Sequence, residues 1–116
     1  MLAVIASAGI AAASEIRLVM VDQPGCAYCA AWDDEIAPAY PNTVEGKFAP
    51  LMRADLHMGP PEGIKYARRV NFTPTFILLE DKTEIARIEG YPGEDFFWPI
   101  FSKLLQDHTA FQPATN

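Results

Sequence analysis

Ile16-Arg17-Leu18-Val19-Met20-Val21-Asp22-Gln23-Pro24-Gly25-Cys26-Ala27-Tyr28-Cys29-Ala30-Ala31-Trp32 decides the fold of this chain. Residues 16–22 are rich in β-branched and apolar side chains and read as a buried strand. Gln23-Pro24-Gly25 breaks the strand, and a helix is expected to start near Cys26 and run to Ile36. Pro38 and Pro41 end or kink it. Cys26 therefore stands where a strand hands over to a helix. Unpaired backbone N–H groups and the positive end of the helix dipole gather there. Both favour thiolate over thiol, so the Cys26 pKa should fall below the free value of about 8.5. Cys29 follows one helical turn later and should be the more buried of the two. That pairing suits thiol–disulfide exchange, with one sulfur attacking and the other resolving.

Working outward, 42–49 is a connector of uncertain structure and 50–56 reads as a second strand. Gly59-Pro60-Pro61-Glu62 is a helix-start signal. The helix it predicts continues through Ile64, Tyr66 and Ala67 to Val70. Thr73-Pro74-Thr75 opens a strand over 76–80, Asp81-Lys82 turns, and 84–89 alternates apolar and charged residues as a hairpin strand does. A last amphipathic helix runs from Glu94 to about Leu105, with Glu94 or Asp95 as its cap. The aromatic series Phe96, Phe97, Trp98 and Phe101 reads as core packing. A protruding part of it, with Trp32 and Tyr28, would make a partner-docking patch. The order β-α-β-α-β-β-α predicts an α/β fold: a central mixed sheet with helices on both faces.

The 116 residues suffice for one domain. We divide them into an apolar N-terminal segment (1–15), a domain (16–105) and a polar, loose tail (106–116). The first fourteen residues resemble the apolar region of a secretory signal peptide, with Ala-x-Ala sites at Ala6-Ser7-Ala8 and Ala11-Ala12-Ala13. No Lys or Arg follows Met1, so the alternative is an apolar strand or helix packed on the core. The run is too short to span a bilayer, which takes roughly 20 residues. A net charge of −6 argues against a nucleic-acid partner.

The Cys-x-x-C spacing has competing readings. A c-type haem would need His at position 30, which is Ala. Zinc wants about four ligands, and only His57 and His108 could join. An inert disulfide closing so short a loop would stabilise little. The alternative from another class is a non-catalytic binding module that uses the pair for metal or redox sensing.

The strand, Pro24-Gly25-Cys26-Ala27-Tyr28-Cys29, then Thr73-Pro74-Thr75-Phe76 and the hairpin resemble the thioredoxin-fold thiol:disulfide oxidoreductases over residues 16–105. The resemblance implies Cys26 as nucleophile and Cys29 as resolving residue. It also implies a cis bond at Pro74 beside the cysteines, and Thr73 offering its N–H and C=O to an extended substrate, with Tyr28 and Gly25 alongside. It further implies a protein disulfide or thiol as substrate, an upstream thiol reductant that could be membrane-bound, no metal, and no cofactor beyond the redox-active Cys26–Cys29 disulfide, with glutathione as an option. The chain departs from the thioredoxin pattern at two places. The usual Trp before the first Cys is Gly25. The buried strand Asp that accepts the second Cys proton falls at Met20, while Asp22 lies nearer the strand end and is expected to be solvated. Ala27-Tyr28 instead resembles the Pro-Tyr of glutaredoxins and the Gly-Tyr of periplasmic disulfide isomerases. Gly90-Tyr91-Pro92-Gly93-Glu94-Asp95 is loosely similar to the loop with which glutaredoxins hold glutathione. Taken whole, the chain looks most like the thioredoxin-like proteins of bacterial sulfur-oxidation systems. That implies a periplasmic location and a role in keeping a thiol of a sulfur-oxidation carrier protein reduced.

Overall fold

A computed structural model describes residues 14–113. The signal-peptide-like reading falls almost wholly on residues 1–13, outside the described residues. The elements are β1 (Ile16–Asp22), α1 (Ala27–Glu35), α2 (Val44–Phe48), β2 (Leu51–Asp55), β3 (Thr75–Glu80), β4 (Thr83–Glu89) and α3 (Glu94–His108). The strands form one sheet in the order β2-β1-β3-β4. β1 and β2 are parallel, while β3 is antiparallel to both β1 and β4. This is the mixed sheet that the element order predicted.

Alternation along the strands divides the core. Leu18, Met20, Phe76 and Leu78 face one side, where they meet Trp32 and Ile36 of α1 and Phe97, Phe101 and Leu105 of α3. Val19, Val21, Ile77 and Leu79 face the other side and meet Ile64 and Val70. The first side is aromatic: the Trp32 ring lies 5.3 Å from Phe76 and 5.9 Å from Phe97, centroid to centroid.

Three expectations are corrected. No helix forms over 59–70, so the second face is covered by an irregular segment and not by a helix. The apolar periodicity there is real, since Ile64 and Val70 are buried. The helix is lost to Pro60-Pro61 together with Gly59 and Gly63, both at positive φ (69° and 82°). The segment's backbone polar groups go instead to β4 and the turn before it. Lys65 N–H donates to the Lys82 carbonyl and Glu84 N–H to the Lys65 carbonyl, both at or below 2.9 Å. The second correction concerns 42–49, which contains α2. Thr43 caps it by accepting the Gly46 N–H at 2.9 Å. Only glycine fits at 46, because a Cβ would lie 1.7 Å from the Tyr40 carbonyl oxygen. Third, the tail is not loose as far as it is described. α3 continues to His108, and Phe111 is buried with its ring 5.2 Å from Phe48. The cap of α3 is Gly93, with Glu94 and Asp95 in the first turn, where they complement the dipole.

The topology gathers four chain segments at one edge of the sheet. β1 and β2 end there, β3 begins there and β4 ends there. The Cys-x-x-C turn follows β1, His57 follows β2, Thr73-Pro74 precedes β3 and Gly90 follows β4.

Candidate active site at the end of β1

The turn into α1 is built by its own residues. Gly25 adopts φ 79°, the left-handed region that glycine enters without a Cβ penalty, and nothing lies within 4 Å of where a Cβ would stand. The constraint at this position is therefore backbone conformation and not space. The Cys26 N–H donates to the Gln23 carbonyl, which closes the turn. Cys26 is then the N-cap of α1: its backbone is extended and its Sγ accepts the Cys29 N–H at 3.1 Å. A sulfur that takes a helix-end N–H is placed to carry negative charge, the local arrangement that lowers a thiol pKa.

Cys26 and Cys29 are disulfide-bonded, with Cα atoms 5.2 Å apart. Cys26 is partly exposed and Cys29 is buried. Tyr28, between them, is 66% exposed on the first turn, whereas Trp32 is fully buried. The expected patch thus loses Trp32 to the core. Phe96 is exposed, while Phe97 and Phe101 are core as expected.

The Thr73–Pro74 bond is cis. Pro74 is buried and its carbonyl accepts the Gly90 N–H at 2.8 Å. The Thr73 hydroxyl accepts a hydrogen bond from Gln23 Nε2 at 2.9 Å, which ties this loop to the cysteine turn. Among the described residues, neither the N–H nor the C=O of Thr73 takes part in a hydrogen bond.

Sequence reasoning passed over Gln23 and Arg53 and weighed His57 only as a metal ligand. Gln23 Oε1 lies 3.1 Å from His57 Nε2, so one side chain joins the ends of β1 and β2 to Thr73. Arg53, beside Met20 in the sheet register, donates to Asp33 at 2.7 Å and to Asp22 at 3.5 Å. Its guanidinium lies 5.9 Å from the centre of the Trp32 ring. Asp22 is therefore paired and not merely solvated. Asp22 and Asp33 line a cavity of about 450 Å³ together with Cys26 and Cys29. The only available signal was spacing, since alternation puts Met20 and Asp22 on one side of β1. Among the described residues, no group of three or more His, Cys, Asp or Glu is placed to hold a metal ion. In the glutathione-like loop only Tyr91 enters the core, while Pro92, Glu94 and Asp95 are exposed. Tyr91 is buried and donates to Glu35 at 2.8 Å, and burial followed by that carboxylate pushes its pKa upward.

A family model described as a thioredoxin-like domain matches residues 6–105. Among solved structures, the periplasmic thioredoxin SoxS from Paracoccus pantotrophus, in its reduced form, is 54% identical. The match covers 79% of this chain and 97% of that one, with a TM-score of 0.77. A thioredoxin-2 of the malaria parasite's protein secretion machinery is 23% identical over 78% of this chain and 84% of its own, with a TM-score of 0.55. The thioredoxin of Malassezia sympodialis is 16% identical over 84% and 78%, with a TM-score of 0.51. These last two share the fold alone. No curated protein matches the chain. The chain belongs to the thioredoxin-like family: it is homologous to SoxS and carries its Cys26–Cys29 disulfide at the N-terminus of the first helix.

Proposed function

We propose that the chain reduces or isomerises disulfides of a periplasmic partner protein, with Cys26 as nucleophile and Cys29 as resolving residue. The observation that carries this reading is the asymmetry of the pair: a partly exposed Cys26 whose Sγ accepts a helix-end N–H, and a buried Cys29 one turn behind it. In the reduced protein, the Cys26 thiolate attacks one sulfur of the partner's disulfide. A Cys26–partner bond forms, and the partner's other sulfur leaves as a thiolate and takes a proton. Cys29 then loses its proton and attacks Cys26 Sγ. The Cys26–Cys29 disulfide forms, and the second partner sulfur leaves as a thiol. The pair has given up two electrons, and a thiol reductant upstream restores them.

Thr73 pairs its free N–H and C=O with the extended substrate, as a strand adds to an edge. Gly25 and exposed Tyr28 border that segment. Similarity to the periplasmic thioredoxin SoxS supports a periplasmic location, and the resemblance of the whole chain to sulfur-oxidation thioredoxins suggests a sulfur-oxidation carrier as the partner. The test is direct. Cys26→Ser should abolish reduction of a protein disulfide. Cys29→Ser should accumulate a mixed disulfide that mass spectrometry detects, because attack proceeds and release does not. Normal turnover by the Cys29 variant, with trapping by the Cys26 variant, would reverse the assignment.

A further inference from the structure

The sheet face without a helix carries a half-open groove of about 860 Å³. Its floor is apolar, made by Val21, Leu56, Ile64 and Val70, and its rim carries Lys65, Arg68 and Arg69. In a chain of net charge −6, that places three of nine Lys and Arg residues on one rim. Arg68 is paired with Glu89 at 3.1 Å. Among the described residues, Lys65 and Arg69 make no ion pair. Asp55 is the one acid lining the groove, and its Oδ1 is taken by the His57 N–H at 2.7 Å. Tyr66 also lines the groove, and its buried hydroxyl has no hydrogen-bond partner among the described residues.

The groove begins where the cysteine cavity ends. Gln23 lines the cysteine cavity, His57 lines the groove, and the two side chains meet at 3.1 Å. We propose that the groove docks an extended acidic segment of the disulfide-bearing partner. An apolar side chain of that segment lies on Val21, Ile64 and Val70, and its carboxylates face Lys65 and Arg69. The inference rests on the oxidoreductase reading, which is what brings a polypeptide to the adjoining cysteines. Charge complementarity selects an acidic occupant, and the apolar floor selects a chain segment over a bare inorganic anion.

The experiment is a titration of the full chain, followed by amide chemical shifts and by anisotropy of the labelled peptide. The probe is a short cysteine-free peptide with Leu-Val flanked by aspartates, and its lysine-flanked counterpart is the control. We expect the acidic peptide to bind, to shift Ile64, Tyr66 and Val70, and to weaken as salt rises. The lysine-flanked peptide should not bind. Lys65→Glu with Arg69→Glu should weaken the acidic peptide about tenfold, the effect of reversing two exposed charges. Both side chains are exposed and unpaired, so the thermal transition of the variant reports whether its fold is intact. Equal binding of the two peptides, unchanged affinity in the variant, or glutarate binding as tightly as the peptide would each overturn the proposal. The peptide has no thiol, so its binding does not depend on redox chemistry. Failure of the wild type to reduce any disulfide would sink the oxidoreductase reading, and the titration would still decide the groove.

Discussion

The two faces of the sheet are covered by different means. On one, α1 and α3 bring Trp32, Phe97 and Phe101 onto Leu18, Met20, Phe76 and Leu78. Each helix satisfies its own backbone, so its buried face can be wholly apolar. On the other, an irregular segment brings Ile64 and Val70, with Tyr66 partly buried beside them, onto Val19, Val21, Ile77 and Leu79. Such a segment has no internal ladder, and its polar backbone needs partners elsewhere. Those partners are a buried ion pair on β4. Arg87 donates to Glu84 at 2.7 Å and to the carbonyls of Arg68 and Arg69, while Glu84 accepts the Ala67 N–H at 2.8 Å. Burial raises the Glu84 pKa, but the bonds from Arg87 and Ala67 outweigh it and hold the carboxyl below the usual carboxylate range. One face is thus held by apolar packing and the other by a polar clamp that replaces a helix. The irregular cover leaves the open groove.

The contrast can be broken from either side. Trp32→Ala should be the most damaging change, since it empties a site ringed by Tyr40, Phe76 and Phe97. A loss of about 4 kcal/mol is expected, read from the midpoint of denaturant unfolding. Arg87→Ala should cost about 3 kcal/mol, because Glu84 is left as an uncompensated buried charge and two carbonyls lose their donor.

The acid response separates the two mechanisms. With its pKa lowered by folding, Glu84 binds protons more readily in the unfolded chain. Its stabilisation is whole above the ordinary carboxylate range and is lost as pH falls through the lowered folded value. The deficit of Arg87→Ala should therefore shrink below about pH 4, while that of Trp32→Ala should not. A deficit independent of pH would show that Arg87 acts through packing alone. The smallest effect should come from Gly63→Ala, about 1 kcal/mol. Gly63 sits at φ 82° with Lys82 Cδ no closer than 3.8 Å, so backbone strain is the whole cost. An unchanged midpoint would mean that the turn relaxes.

For β1, α1 and the hairpin the signal was local, and the sequence by itself was enough. The β-branched run gave β1, Pro24-Gly25 gave its end, and two cysteines at helical spacing gave the start of α1. Asp81-Lys82 between two apolar runs gave the hairpin, whose turn residues take φ 49° and 72°. What came only with tertiary structure involves residues far apart in the chain. Periodicity in 59–70 predicted a helix, but Pro60-Pro61, Gly63 and partners from β4 made another conformation the satisfied one. α2 is short and has a glycine at its centre, and that glycine is required by a contact with Tyr40 that no local pattern encodes. Gln23 meets Thr73 and His57, and Arg53 joins Asp22 to Asp33, across separations of 20 to 50 residues. Propensity and spacing act within a few residues along the chain. Hydrogen-bond satisfaction and charge pairing act through space, and only the folded sheet edge brings those groups within reach of one another.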